Sequence, residues 1–150
     1  MGTEPLRVTV HVDGGARGNP GPAGAGIVVT DAADGAALYE GGIFLGRATN
    51  NVAEYQGLLA GLRAATDLRA TDVEIVSDSQ LLIRQMTGEY RVRNAGLQPL
   101  HRRARELAER FATCTFRHVR REQNTHADAL VNQAINLRRN VEDATGQALD

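Results

Sequence analysis

From Arg7 the chain alternates. Val8, Val10 and Val12 are apolar, Thr9 and His11 are polar, and this is the two-residue period of a pleated strand. The run ends at Asp13, and the next thirteen residues hold six glycines and two prolines. A first strand over residues 7–13 is predicted, ending in a carboxylate beside backbone bare enough for a ligand to approach. Residues 23–30 and 36–45 read as two more strands, set off by the Gly18-Asn19-Pro20-Gly21-Pro22 turn and the Asp34-Gly35 hairpin signal. Connections this short make the three strands antiparallel. The period then changes. Thr49-Asn50-Asn51 caps a helix over 52–68, with Val52, Tyr55, Leu59 and Leu62 as its large stripe and Ala53, Gly57, Ala60, Gly61 and Ala64 as a small-residue stripe beside it. A strand at 72–76 follows, then a short helix at 80–87 closed by Gly88, a polar link, a helix at 97–111, a strand at 113–119 and a last helix at 125–138.

The order βββαβααβα predicts an α/β fold. A five-stranded mixed sheet is expected, with strands one to three antiparallel, strands four and five parallel to strand one, and helices on both faces. Residues 1–140 form the expected domain, and 141–150 a polar tail expected to be poorly ordered. Ligands in such sheets sit at the carboxyl ends of the parallel strands. Asp13 ends strand one and Asp78 ends strand four, which puts both acids at the same edge.

Composition narrows the chemistry. The 150 residues carry a net charge of −1, yet every one of the 17 basic residues is arginine, and ten of them fall between Arg84 and Arg121 against three glutamates. An acidic site beside a basic region suits a phosphodiester substrate. With 4% aromatics and no tryptophan, base-stacking platforms for single strands are not expected. The single Cys114 rules out an internal disulfide and fits a reducing, cytoplasmic setting. No stretch is apolar enough to span a membrane, and a monomer is expected.

Four carboxylates stand out, and each has an ordinary explanation. Asp78 fits a helix N-cap. Asp128 fits a capping box with Thr125. Glu54 complements a helix dipole, and Asp13 starts a turn. Together they read differently: four like charges converging on one sheet edge persist only with protons or cations, and hard divalent ions with oxygen ligands are the natural partners. No lysine or cysteine stands by as a nucleophile, and Ser77 and Ser79 have no evident histidine partner.

The motifs Asp13-Gly14-Gly15-Ala16-Arg17-Gly18-Asn19-Pro20-Gly21-Pro22, Thr49-Asn50-Asn51-Val52-Ala53-Glu54, Asp78-Ser79-Gln80 and Asn124-Thr125-His126-Ala127-Asp128 resemble ribonuclease HI, in the right order over about residues 7–138. The resemblance implies an endoribonuclease that cuts the RNA strand of RNA/DNA hybrids with two Mg²⁺ ions, Mn²⁺ being the alternative, and leaves 5′-phosphate and 3′-hydroxyl ends. It makes Asp13, Glu54, Asp78 and Asp128 the catalytic metal ligands, with Glu54 close to the RNA 2′-hydroxyl. It makes Gly14, Asn19, Asn50, Asn51 and Gln80 contacts to the hybrid. Residues 119–124 lack the catalytic-loop histidine of well-studied bacterial enzymes. They resemble the archaeal and actinobacterial subgroup, in which an arginine takes that loop; Arg121 is the candidate and Arg120 the alternative. His126 and His118 are expected to be structural, His118 as a packed strand residue. The basic protrusion of some bacterial enzymes has no room in residues 89–96, so Arg91, Arg93, Arg102 and Arg103 are expected to replace it in part. Two other readings of the same residues are a non-catalytic nucleic-acid-binding module and a DNA nuclease on this fold.

Overall fold

The structure, a computed structural model, describes residues 4–144 and 147–149. Three strands open the chain: β1 (Arg7–Ala16), β2 (Gly21–Asp31) and β3 (Ala37–Ala48). They pair antiparallel, with Asp13 opposite Gly26 and Val28 opposite Glu40. Helix α1 (Asn50–Asp67) crosses to β4 (Asp72–Ser77), α2 (Gln80–Met86) and α3 (Gln98–Ala108) cross to β5 (Thr113–His118), and a short 3-10 turn (Arg121–Gln123) leads into α4 (Thr125–Leu137). β4 runs parallel to β1 and β5 parallel to β4, as expected.

The sheet is larger than the five strands expected. β6 (Val141–Ala144) pairs with Glu40, Gly41 and Gly42 of β3, β7 (Gln147–Leu149) pairs with β6, and the order across the sheet is β5-β4-β1-β2-β3-β6-β7. Where described, the stretch expected to be a loose tail is therefore sheet. Its two pieces are too short and too polar for periodicity to register. What recruits them is the edge of β3, whose backbone groups would otherwise lack partners. Burial lifts the Tyr39 pKa to about 12, helped by a hydrogen bond to Glu142 of β6.

The core lies between α1, α2 and α3 and one face of the sheet. Val8, Val10, Val12, Ile27, Val29, Val73 and Ile75 meet Tyr55, Leu58, Leu59, Leu62, Leu82 and Leu107 there. α4 covers part of the other face, where Val28, Ala127 and Leu130 cluster. The small-residue stripe of α1 does what its spacing implies: a Cβ on Gly57 would lie 2.5 Å from the carbonyl oxygen of Asp13, so helix and strand touch at backbone distance. α4 uses the same device on the opposite face, where Gly26 of β2 lies under Ala127. Both helices are thus held close to Asp13. Among the described residues no helix is long and apolar enough to cross a membrane.

Candidate active site

β1 does not stop at Asp13. It continues through Gly14, Gly15 and Ala16, paired with β2 to Ala23, while its parallel partner β4 pairs only as far as Val76. The glycines expected to form a turn are strand because Gly14 passes directly beneath Ala53 of α1, where a Cβ would lie 2.2 Å from a carbonyl oxygen. Asp13 therefore projects where β4 has ended. The turn itself, residues 17–20, is pinned to the start of α1: Ala16 N donates to Asn50 Oδ1 at 2.8 Å, and Asn50 N donates to Asn19 Oδ1 at 3.1 Å.

The ordinary explanations of the other carboxylates fail locally. Ser79, not Asp78, caps α2, its hydroxyl accepting from Leu82 N at 3.2 Å. Buried Ser77 accepts from Ser79 N at 3.0 Å. The two serines satisfy the turn and leave the Asp78 carboxylate unused by it. Asn124 is the cap residue of α4 and makes no side-chain capping bond, so Asp128 belongs to no capping box. The first turn of α1 contains no acid; Glu54 lies beyond it.

All four carboxylates line one cleft of about 340 Å³, with Gly14, Gly15, Ala16, Arg17, Asn50, Arg121, Val131, Asn132 and Ile135. Their ionisation records the crowding. Asp13 is pushed up to about 8, first by burial and then by the charge of Asp78, with the neighbouring Asp128 adding to the rise. Glu54 is raised to about 7, chiefly by burial, although the Ser79 hydroxyl and the Arg121 guanidinium pull the other way. Asp78 is raised by burial, against the Arg121 charge and a hydrogen bond from Asn124. The donor set is all oxygen and anionic, which fits a hard divalent ion. Among the described residues no three of these side chains form a ready-made cage. A metal here would draw its remaining ligands from water or substrate oxygens.

Of the two loop arginines, Arg121 lines the cleft and Arg120 does not. Of the expected contacts to nucleic acid, Gly14 and Asn50 line it. Asn19 braces Asn50. Asn51 lies beside Glu54, Ser79 and Leu81 in an adjoining crevice, and Gln80 is exposed at the start of α2. His126 is bound to Glu40 at 3.0 Å, away from the carboxylates. His118, expected to be packed, is exposed, because β5 is the free edge of the sheet; its charge acts on Asp78.

Two side chains given no role by the sequence support the site. Asn124, 1% exposed, donates to the Val12 carbonyl at 2.9 Å as well as to Asp78. Asn132 connects Arg17, at 3.4 Å, to the backbone and carboxylate of Asp128. Asn124 stands inside a quoted motif, but burial, not spacing, reveals its part. A larger cavity of about 760 Å³ lies away from the carboxylates, between the end of α2 and α3. Arg91 and Arg102 line it together with Arg105; Arg93 and Arg103 do not, and Arg103 stands 3.9 Å from Glu106.

Residues 11–134 match the reverse transcriptase-like family. Ribonuclease HI of Halobacterium salinarum is 46% identical over 129 residues, 86% of this chain and 64% of its own length. A bifunctional protein of Mycobacterium tuberculosis is 45% identical over 130 residues, 87% of this chain and 36% of its own length. The chain thus spans about a third of the mycobacterial relative and less than two thirds of the Halobacterium one. The crystal structure of the Halobacterium RNase H1 superposes with a TM-score of 0.84 at 45% identity, over 87% of this chain and 98% of that one. The LC11 RNase H1, solved in complex with an RNA/DNA hybrid, superposes with a TM-score of 0.82 at 38% identity, over 87% and 98%. With its motifs in order, its sheet topology and these matches, the chain belongs to the ribonuclease HI family.

Proposed function

We propose that this protein is an endoribonuclease that hydrolyses the RNA strand of RNA/DNA hybrids and leaves 5′-phosphate and 3′-hydroxyl ends. One observation carries the reading: β1, α1, β4 and α4 each deliver a carboxylate to a single cleft, where burial and mutual repulsion raise Asp13 to about 8 and Glu54 to about 7. A relative at 38% identity holds a hybrid. Asp13, Glu54, Asp78 and Asp128 would hold two divalent ions, Mg²⁺ or Mn²⁺, which when bound supply an activated water and neutralise the leaving 3′ oxygen.

The chain's own residues do the rest. Arg121 at the rim pairs with a phosphate. Arg17, tethered through Asn132, and Asn50, tethered through Ala16, position the strand. Glu54, Asn51 and Gln80 face the sugar edge, where a 2′-hydroxyl distinguishes RNA from DNA. Contacts of this kind go to sugar and phosphate, so little sequence preference is expected.

The test is cleavage of an end-labelled hybrid in Mg²⁺ and in Mn²⁺, with RNA/RNA and DNA/DNA duplexes alongside. The hybrid's RNA strand is cut, and Asp78→Asn lowers the rate by more than about a hundredfold. Cutting of the DNA duplex would instead assign a DNA nuclease. Binding of the hybrid without cutting in either metal would assign a binding module.

A further inference from the structure

A further concavity lies beyond the β1–β2 turn. It is a groove of about 380 Å³ lined by Pro22, Phe44, Gly46, Arg47 and Arg138. A slip in the β2–β3 ladder builds it. Ala23 faces Gly46 and Gly24 faces Phe44, so Leu45 is an extra residue. Such bulges re-aim the side chains beside them, and Gly46 takes a φ of 71° to permit this one. The Phe44 amide donates to Asn140 Oδ1 at 2.9 Å, which ties the groove's floor to the chain leaving α4. Arg47 stands across the ladder from Pro22. Arg138 ends α4 in the left-handed conformation, with φ 53°. No acidic side chain lines the groove among the described residues. Ile135 lines the carboxylate cleft, and Arg138 follows it three residues later, about 5 Å along the helix axis. The groove therefore lies at the end of the helix whose earlier turns line the cleft.

We propose that this groove binds one unpaired nucleotide of the nucleic-acid strand leaving the cleft, with its base on the ring of Phe44 and its phosphate against Arg47 and Arg138. An apolar floor flanked by two guanidinium groups suits stacking combined with phosphate pairing. A base inside a duplex has both faces covered and cannot stack on a side chain. A bare phosphate would gain nothing from phenylalanine and proline. The scarcity of aromatics excludes an extended platform, but one ring is enough for one base. The inference rests on the proposed function in taking nucleic acid as the occupant.

Binding is measured by fluorescence anisotropy with the full chain carrying Asp78→Asn, so that substrate stays intact. The probes are a blunt hybrid and hybrids with a short single-stranded extension on either strand and at either end. One of the extended probes binds about fivefold or more tightly than the blunt one. Phe44→Leu, which keeps the apolar bulk and removes the ring, abolishes that advantage. Glycine is the usual residue at a left-handed position after a helix, so Arg138→Gly leaves the melting temperature unchanged or higher. It still reduces the advantage and flattens its dependence on salt. Equal affinity for blunt and extended probes, or an advantage that survives Phe44→Leu, would overturn the proposal. So would an Arg138→Gly effect of the same size on the blunt hybrid, which would make the groove a duplex-phosphate contact. Failure to bind any hybrid would overturn the proposed function instead.

Discussion

Asn124 ties three structural elements together, through its side chain and its backbone. Its Nδ2 donates to Val12 O, one residue before Asp13, and to the carboxylate of Asp78, while its backbone carbonyl accepts from Asp128 N at 3.1 Å. Its buried Oδ1 has no partner among the described residues. A buried acceptor left unpaired is costly, and the side chain persists because its amide ties Asp78 to the residue before Asp13. Asn124→Ala should destabilise the fold by about 1–3 kcal/mol. It should also have an effect that lost packing would not. Asp78 loses a hydrogen bond that lowers its pKa, so the acid limb of the pH–rate profile should move to higher pH. A slower enzyme with an unmoved acid limb would reduce Asn124 to a structural residue.

At the scale of elements, the site is a matter of how closely helices lie on the sheet. Gly57 lets α1 touch β1 at the carbonyl of Asp13, and Glu54 sits one turn earlier on that helix. Gly57→Ala should force helix and strand apart, costing about 1–3 kcal/mol and moving Glu54 away from Asp13. Hybrid cleavage should then fall further than stability alone explains, as seen by comparing rate with the folded fraction from circular dichroism. Activity that simply tracks the folded fraction would sink this account. The same contact shows what the sequence makes legible. The small-residue stripe of α1, the alternation of β1 and the carboxylates after two parallel strands are periodic signals, and periodicity carries them directly. The continuation of β1 through Gly14 to Ala16 is not legible that way, because glycine reads as turn until the helix above it is known. β6 is set by the open edge of β3, and the groove at Phe44 by a one-residue slip in register. Both depend on partners distant in the chain. The ordinary roles of Asp78 and Asp128 are excluded only once Ser79 and Asn124 are seen at the cap positions.

For the whole molecule, the cleft makes stability depend on pH and metal together. Asp13 and Glu54 ionise near 3.8 and 4.5 when unfolded but near 8 and 7 when folded. Between these limits the folded chain holds more protons than the unfolded one. The stabilisation from these two groups is therefore complete below about pH 4 and is lost as pH rises through 7 and 8. His11 acts in the opposite sense. Burial, with the charge of Arg117, holds its pKa below 6.5, so its contribution grows as pH rises toward that value. Two carboxyls outweigh one imidazole, so these groups make the metal-free chain most stable on the acid side and less stable as pH rises toward 8. From pH 7 to 8.5, in chelator, the melting temperature should drop by about 2–4 °C for each kcal/mol lost. Asp13→Asn should flatten that slope. Mg²⁺ at about a hundred times its dissociation constant should add about 2.7 kcal/mol. Because binding must displace protons from Asp13 and Glu54, its apparent affinity should rise over the same pH range. Calorimetry in buffers of different ionisation enthalpy would register the released protons directly. A melting temperature that is flat in chelator, or a metal effect equal at pH 6 and pH 8.5, would mean that neither burial nor mutual repulsion raises these carboxylates in the folded chain, and the case for a cation-dependent cleft would lose its electrostatic basis.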